Sequence, residues 1–203
     1  MLGRFGSVVA VSMIGSFAHA GGILDYTATL EDLTIEGVGN VATANTLNLS
    51  GYRILDNNLA LTGDFSYTTG SVLGLTLSGT SLSLGAGYAL SNNLDMANGT
   101  GSTTVINAQF ELTRLEVDDI GTVDSGTAVG LTGNIALGSG VVAEYTFSSP
   151  TDSLGNTISY SGGISWLTNF IGEVRLGLVG GQSIVDGVDI DTTGWYLGSV
   201  TRF

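Results

Sequence analysis

Apolar and small polar residues alternate with a period of two through most of this chain, a pattern that fits β-strands and excludes amphipathic helices. Leu59, Leu61, Phe65 and Tyr67 share one parity, while Ala60, Thr62, Asp64 and Ser66 hold the other. The pattern recurs with Leu82, Leu84, Ala86 and Tyr88, with Ile106, Ala108, Phe110 and Leu112, and with Val174, Leu176 and Leu178. No apolar face of period 3.6 competes, and Gly, Ser, Thr and Asn recur too often for stable helices.

The polar parity decides what kind of sheet this is. A soluble sandwich covers its solvent face with many charged residues. Here the stretches 65–94, 125–143 and 153–172 carry no charge at all. A closed membrane barrel reconciles these facts: the apolar parity meets lipid, and the small polar parity fills a narrow lumen. Short Asn-, Gly- and Ser-containing links (YRILDNNL from Tyr52, YALSNNL from Tyr88, LGSGV from Leu137, WLTNF from Trp166) alternate with longer ones at 36–43, 69–79, 117–126, 149–156 and 182–192. Short periplasmic turns and long external loops give that rhythm. The fold class expected is an all-β, closed, antiparallel up-and-down transmembrane barrel. Ten strands are expected near 24–35, 45–54, 58–69, 80–90, 103–115, 127–137, 141–149, 157–167, 170–181 and 193–203, with eight strands as the alternative. Parity slips near Glu31 and near Ser50-Gly51 point to a bulge or a misplaced strand boundary.

Residues 1–20 read as a secretory signal peptide: Arg4, an apolar run from Phe5 to Phe17, and the small-x-small site Ala18-His19-Ala20. Residues 21–203 would form the barrel domain. With 18 acids against five basic residues, all arginine, the net charge is −13. That balance excludes nucleic acid as a partner, because phosphate binding needs Lys and Arg. Absent cysteine excludes disulfides and thiol chemistry. Removal of the leader would take His19, the single histidine, leaving no side chain suited to general base catalysis near neutral pH. No catalytic residue and no cofactor is expected.

The signal peptide, the Gly-Tyr strand ends before Asn-rich turns (GYRILDNN, GYALSNN) and the terminal Arg202-Phe203 together resemble the small bacterial outer-membrane β-barrel family, the OmpA/OmpX-like proteins. The resemblance spans residues 21–203. It implies export to the outer membrane of a Gram-negative cell envelope. The partners it implies are outer-membrane lipid, lipopolysaccharide and the barrel assembly machinery, with Phe203 as the assembly signal. Family members usually carry Tyr two residues before that Phe; here the position is Thr201.

Three sets of residues stand out. Parity places Asp64, Glu111, Glu144, Glu173, Arg175 and Arg202 inward, with Glu144–Arg175 and Glu173–Arg202 pairs expected to narrow the periplasmic half of the lumen. Tyr52, Tyr88, Trp166 and Trp195, near strand ends, are expected in aromatic girdles at headgroup level. Asp186, Asp189 and Asp191 form a weak Ca²⁺ candidate without EF-hand spacing, and solubilising loop charge is the favoured reading, as it is for Glu116, Asp118, Asp119 and Asp124. The function expected is non-enzymatic, structural or surface-interacting. The alternatives are a narrow cation-leaning pore or small-ligand transport barrel, and a secreted soluble β-adhesin.

Overall fold

A computed structural model describes residues 22–118, 120–151, 158–168, 172–185 and 188–202. The expected leader, Asp119, Asp186 and Phe203 lie outside the described residues. Ten strands form: β1 (Gly22–Ile35), β2 (Gly39–Ile54), β3 (Leu59–Val72), β4 (Leu75–Asn92), β5 (Ser102–Val117), β6 (Ile120–Gly138), β7 (Val141–Pro150), β8 (Ile158–Thr168), β9 (Gly172–Val185) and β10 (Val188–Arg202). Each strand pairs antiparallel with its chain neighbour, and β1 pairs with β10 to close the barrel. The alternative of eight strands is thereby set aside. Closure satisfies both sides of the ladder, a requirement for any sheet in hydrocarbon, where water cannot bond a free backbone group.

The outward row is apolar through the middle of the barrel. Leu61, Leu84, Phe110, Ile164, Leu176 and Leu197 are all exposed. On β3 this row runs from Leu59 to Tyr67, roughly 27 Å along the strand and about 21 Å along the axis at typical tilt. That height matches the lipid-facing band of a transmembrane barrel, about 25 Å. The inward row is Thr, Ser, Asn and Gly, with charges at chosen levels.

The strands run well past that band. β4 has 18 residues and β6 has 19, where about 9–11 cross a bilayer. Four connections expected as loose external loops are instead mostly strand. β3 and β4 meet at Leu73-Gly74, both with positive φ (50° and 84°), as a type I′ turn requires. Asp118, at φ 47°, begins the equally short β5–β6 link. Segments 36–43 and 182–192 are likewise largely strand.

Above the lipid-facing band the two faces exchange character. Leu33, Val72, Leu77 and Leu115 continue the inward parity, whereas Asp32, Ser71, Arg114 and Glu116 point outward. Leu115 lies over the inner face of Gly79, where an added Cβ would sit 3.2 Å from its Cδ1. The extension is thus built as a water-facing sheet: polar outside, apolar inside.

Two expected irregularities move. Pairing runs without interruption through Glu31↔Ala44, Asp25↔Ser50 and Leu24↔Gly51, and the β1–β2 shift falls at Leu33/Thr34. Gly51 mimics a slip because its place in the outward row admits no side chain; a Cβ there would lie 2.4 Å from the Ile23 carbonyl oxygen. Residues 93–101, which alternate poorly, form the longest described connection at the end bearing the termini. They lie against the β6–β7 turn, through Gly140 N–H to the Met96 carbonyl (2.8 Å) and Ser139 Oγ to that of Ala97 (2.8 Å).

Candidate functional site

The lumen is filled most densely at the end bearing the termini. Inward apolar side chains from strand ends meet there as a floor of Ile23, Ile54, Val105 and Val200, with Tyr52, Ala60 and Ala89 in the same cluster. Val105 and Val142 are fully buried. This floor was not expected from the sequence.

A charged network lies beside it at the same level, since Arg202 pairs across the ladder with Ile23 and Glu173 with Val200. Arg202 forks onto Glu173, with Nε 2.8 Å from Oε2 and Nη2 2.6 Å from Oε1, the bidentate geometry that makes guanidinium–carboxylate pairs strong. Its Nη2 also lies 3.4 Å from Glu144 Oε1 and 3.4 Å from the Asn134 side-chain oxygen. Ser165 Oγ donates to Glu173. Arg175 Nε lies 2.9 Å from Glu144 Oε2, and its Nη1 lies 2.8 Å from Asp25 Oδ2. The structure thus brings together Glu144, Glu173, Arg175 and Arg202 and adds Asp25, Asn134 and Ser165. Asp25 belongs to the parity of Thr27 and Thr29, opposite Leu24 and Tyr26, but it lies at the very start of the first strand.

Two tyrosines complete this layer. Tyr52 is buried, at 6% exposure, and accepts a hydrogen bond from Asn134 Nδ2 at 3.2 Å. Its expected girdle role is therefore corrected. It shares the inward parity of Asn48 and Ser50, and parity outweighs nearness to a strand end. Tyr196, also buried, lies with its ring centroid 4.8 Å from Arg175 Cζ, a cation–π contact. Its ring fits only because Gly163 and Gly177 face it; a Cβ on Gly177 would stand 2.4 Å from Tyr196 Cζ. Tyr88, Trp166 and Trp195 lie on the outer surface, exposed.

Asp64 and Glu111 also face inward but stand apart from this network, higher on the β3–β5 wall. Asp64 pairs across the ladder with Ser83, which pairs with Glu111. Glu111 Oε1 accepts from Ser81 Oγ at 2.9 Å. Both line a cavity of about 360 Å³ above the charged layer, together with Asp25, Glu31 and Arg175 and walls of Thr, Ser and Asn. Arg175 is the one basic residue among its described lining, so the other charges on its wall are acidic. Glu31, like Asp25, is a lumen acid that the first strand's uncertain parity hid.

Asp189 and Asp191 lie on β10 above the band and do not converge on a common point with other acids. Among the described residues no group of three or more His, Cys, Asp or Glu side chains is arranged to hold a metal ion. Asp186 lies outside the described residues.

No family model matches the chain, and no curated protein does. Solved structures do. One is Neisserial surface protein A, at 12% identity over 88% of this chain and 96% of that one, with a TM-score of 0.44. Another is the outer membrane protein OprG from Pseudomonas aeruginosa, at 10% identity over 91% of this chain and 96% of that one, with a TM-score of 0.46. A third is the outer membrane protease OmpT from Escherichia coli, at 10% identity over 91% of this chain and 97% of that one, with a TM-score of 0.47. At these identities the likeness is one of fold alone.

Proposed function

We propose that this chain is a non-enzymatic outer-membrane barrel whose lumen is shut and whose work is done at its outer rim, in a structural or surface-interacting role. The observation that carries the reading is the filling of the lumen at the end bearing the termini, where an apolar cluster of Ile23, Ile54, Val105 and Val200 packs beside a cross-lumen network of five charged side chains. Water and ions need a continuous open path, and buried apolar side chains packed beside tightly paired charges narrow it. The lipid-compatible outer band supports a membrane location, and the expected leader and Phe203 support export and assembly there. Strands that outrun the bilayer put their polar extensions outside the cell, on the side away from the termini.

The acid-walled cavity supports a second reading, a blind pocket for a small cationic ligand. With the floor intact it would hold rather than pass its occupant.

Planar-bilayer recording tests the main reading. The purified protein, which should need detergent and run as a heat-modifiable band, is expected to give no steady conductance, and any leak should favour cations. A large, steady, anion-selective conductance would refute both the seal and its sign.

A further inference from the structure

The registers of the first five strands lay one row of side chains across the lumen wall. Asp25 of β1 faces Ser50 of β2, Ser50 faces Asp64 of β3, Asp64 faces Ser83 of β4, and Ser83 faces Glu111 of β5. All five share the inward parity and line the cavity of about 360 Å³. A carboxylate therefore stands on every second strand, with a serine hydroxyl between. Successive carboxylates of the row lie about 10 Å apart at the backbone, two strand spacings.

One member of the row already holds a cation. Asp25 Oδ2 lies 2.8 Å from Arg175 Nη1, and Arg175 is shared with Glu144. Asp64 and Glu111 have no basic partner among the described residues. Ser83, between them, is 5% exposed, and its hydroxyl has no hydrogen-bond partner among the described residues. Below the row Asn107 is 8% exposed. Its Nδ2 donates to Thr62 Oγ1 at 3.0 Å and to Gln109 Oε1 at 3.2 Å, in the room that Gly85 and Gly87 leave on β4. Its Oδ1 lies over the inner face of Gly130 and takes no hydrogen bond among the described residues. Asn48 Oδ1, two residues from Ser50 on β2, is buried without a partner. The groups left over are acceptors and a hydroxyl, beside carboxylates that are costly to enclose without a cation. They call for a donor that carries positive charge.

Spacing decides the shape of that donor. Glu111 Oε1 accepts from Ser81 Oγ at 2.9 Å and from Thr113 Oγ1 at 3.3 Å, both one step further up the wall, so its carboxylate is turned away from Asp64. A hard cation needs several oxygens at about 2.3–2.6 Å, and among the described residues no three acids converge in that way. A linear molecule with a cationic nitrogen at each end spans the row instead, and a nitrogen along its length comes to Ser83. We infer that this row is a binding site for a linear aliphatic polyamine. One terminal ammonium donates to Asp64, an inner amine to Ser83 Oγ, and the other terminal ammonium to Glu111, as the Arg175 guanidinium does to Asp25. This names the ligand class of the blind cationic pocket given above as the second reading, and it rests on that reading.

The test is isothermal titration calorimetry of the full chain in zwitterionic detergent micelles, with spermidine as the probe. One-site binding is expected, with butylamine about tenfold weaker or more and putrescine between, because each ammonium lost forfeits a charge-assisted hydrogen bond. Asp64→Asn combined with Glu111→Gln keeps the side-chain shapes and removes both charges. Affinity for spermidine should fall about tenfold or more while heat-modifiable migration persists. Asp189→Asn combined with Asp191→Asn, on β10 above the band, should leave affinity unchanged. The amine series on the wild-type barrel decides the matter even if the lumen variant fails to fold. Butylamine binding as tightly as spermidine would overturn the polyamine assignment and leave the cationic pocket standing; no amine binding at all would overturn both. Magnesium displacing spermidine at equal concentration would overturn the inference in favour of a metal ion. Equal losses from the lumen and β10 variants would overturn it in favour of attraction by net charge.

Discussion

Arg175 is the residue whose loss the structure prices most clearly. Arg175→Ala removes the 2.8 Å contact to Asp25, the 2.9 Å contact to Glu144 and the ring contact with Tyr196. Glu144 keeps Arg202 Nη2 at 3.4 Å, so Asp25 is the carboxylate left without a cation. Breaking a buried pair by removing one member typically costs about 3–5 kcal/mol. Asp25 retains 20% side-chain exposure to the cavity above, which admits solvation and places the loss near the low end, about 3 kcal/mol. In urea unfolding from lipid vesicles, followed by Trp166 and Trp195 fluorescence, the midpoint should fall by roughly 1–3 M. Adding Asp25→Ala removes the orphan, so the double variant should be less destabilised than the sum of the singles, by at least about 1 kcal/mol. Conductance should stay closed, because the apolar cluster and the Arg202–Glu173 pair remain in place at that end of the lumen. A single variant within about 0.5 kcal/mol of wild type, or strict additivity with Asp25→Ala, would refute the reasoning.

Three further outcomes are expected. Ile54→Ala combined with Val105→Ala should thin the floor and open a small cation-favouring leak in planar bilayers that neither Arg175→Ala nor wild type shows. Gly177→Ala should drive a methyl into the Tyr196 ring and the Gly162 carbonyl, destabilising the barrel by about 2–3 kcal/mol in the same urea assay, since backbone on one side cannot move away. In the 93–101 connection, Asp95 accepts from Asn98 N–H at 3.0 Å and Asn98 Nδ2 at 2.7 Å, which holds its carboxyl below the usual carboxylate range. Its folded value is depressed, so its support of the turn is full above the unfolded value and fades as pH falls through the folded one. The Asn98 amide resonance should follow that acid titration, and Asp95→Asn should abolish it.

Parity made most of the lumen legible and failed where a second rule overlaid it. Glu144, Glu173, Arg175 and Arg202 sit where period two puts them, because alternation within a paired strand is set by the pleat. Tyr52 was assigned outward from its nearness to a turn, although Asn48 and Ser50 on the same strand already fixed its face. The floor was hidden for a different reason. Ile23, Ile54, Val105, Val142 and Val200 are apolar at inward positions, so at the strand ends both faces read as apolar and alternation disappears. The tall hairpins were missed because above the band the polar residues move outside, and a reader expecting lipid there takes the inversion for the end of the strand.

The position of the charged layer bears on how the barrel closes. Its ion pairs are concentrated around the β1–β10 seam: Asp25 comes from the first strand, Arg202 from the last, and Glu173 and Arg175 from the strand beside it. The contact from Asp25 to Arg175 spans β10 altogether. The seam is the one pairing that joins the two ends of the chain, so no short turn sets its register, whereas the other pairs are joined through local connections. A slip of one residue along β1 would rotate Asp25 out toward lipid, turn Leu24 and Tyr26 inward, and leave Arg175 with one carboxylate fewer. Buried ionic groups contribute little net stability against an apolar alternative, but they penalise wrong arrangements heavily. A network of this composition at this seam therefore acts chiefly as a register lock, and the apolar cluster packed beside it keeps bulk water from relaxing that penalty.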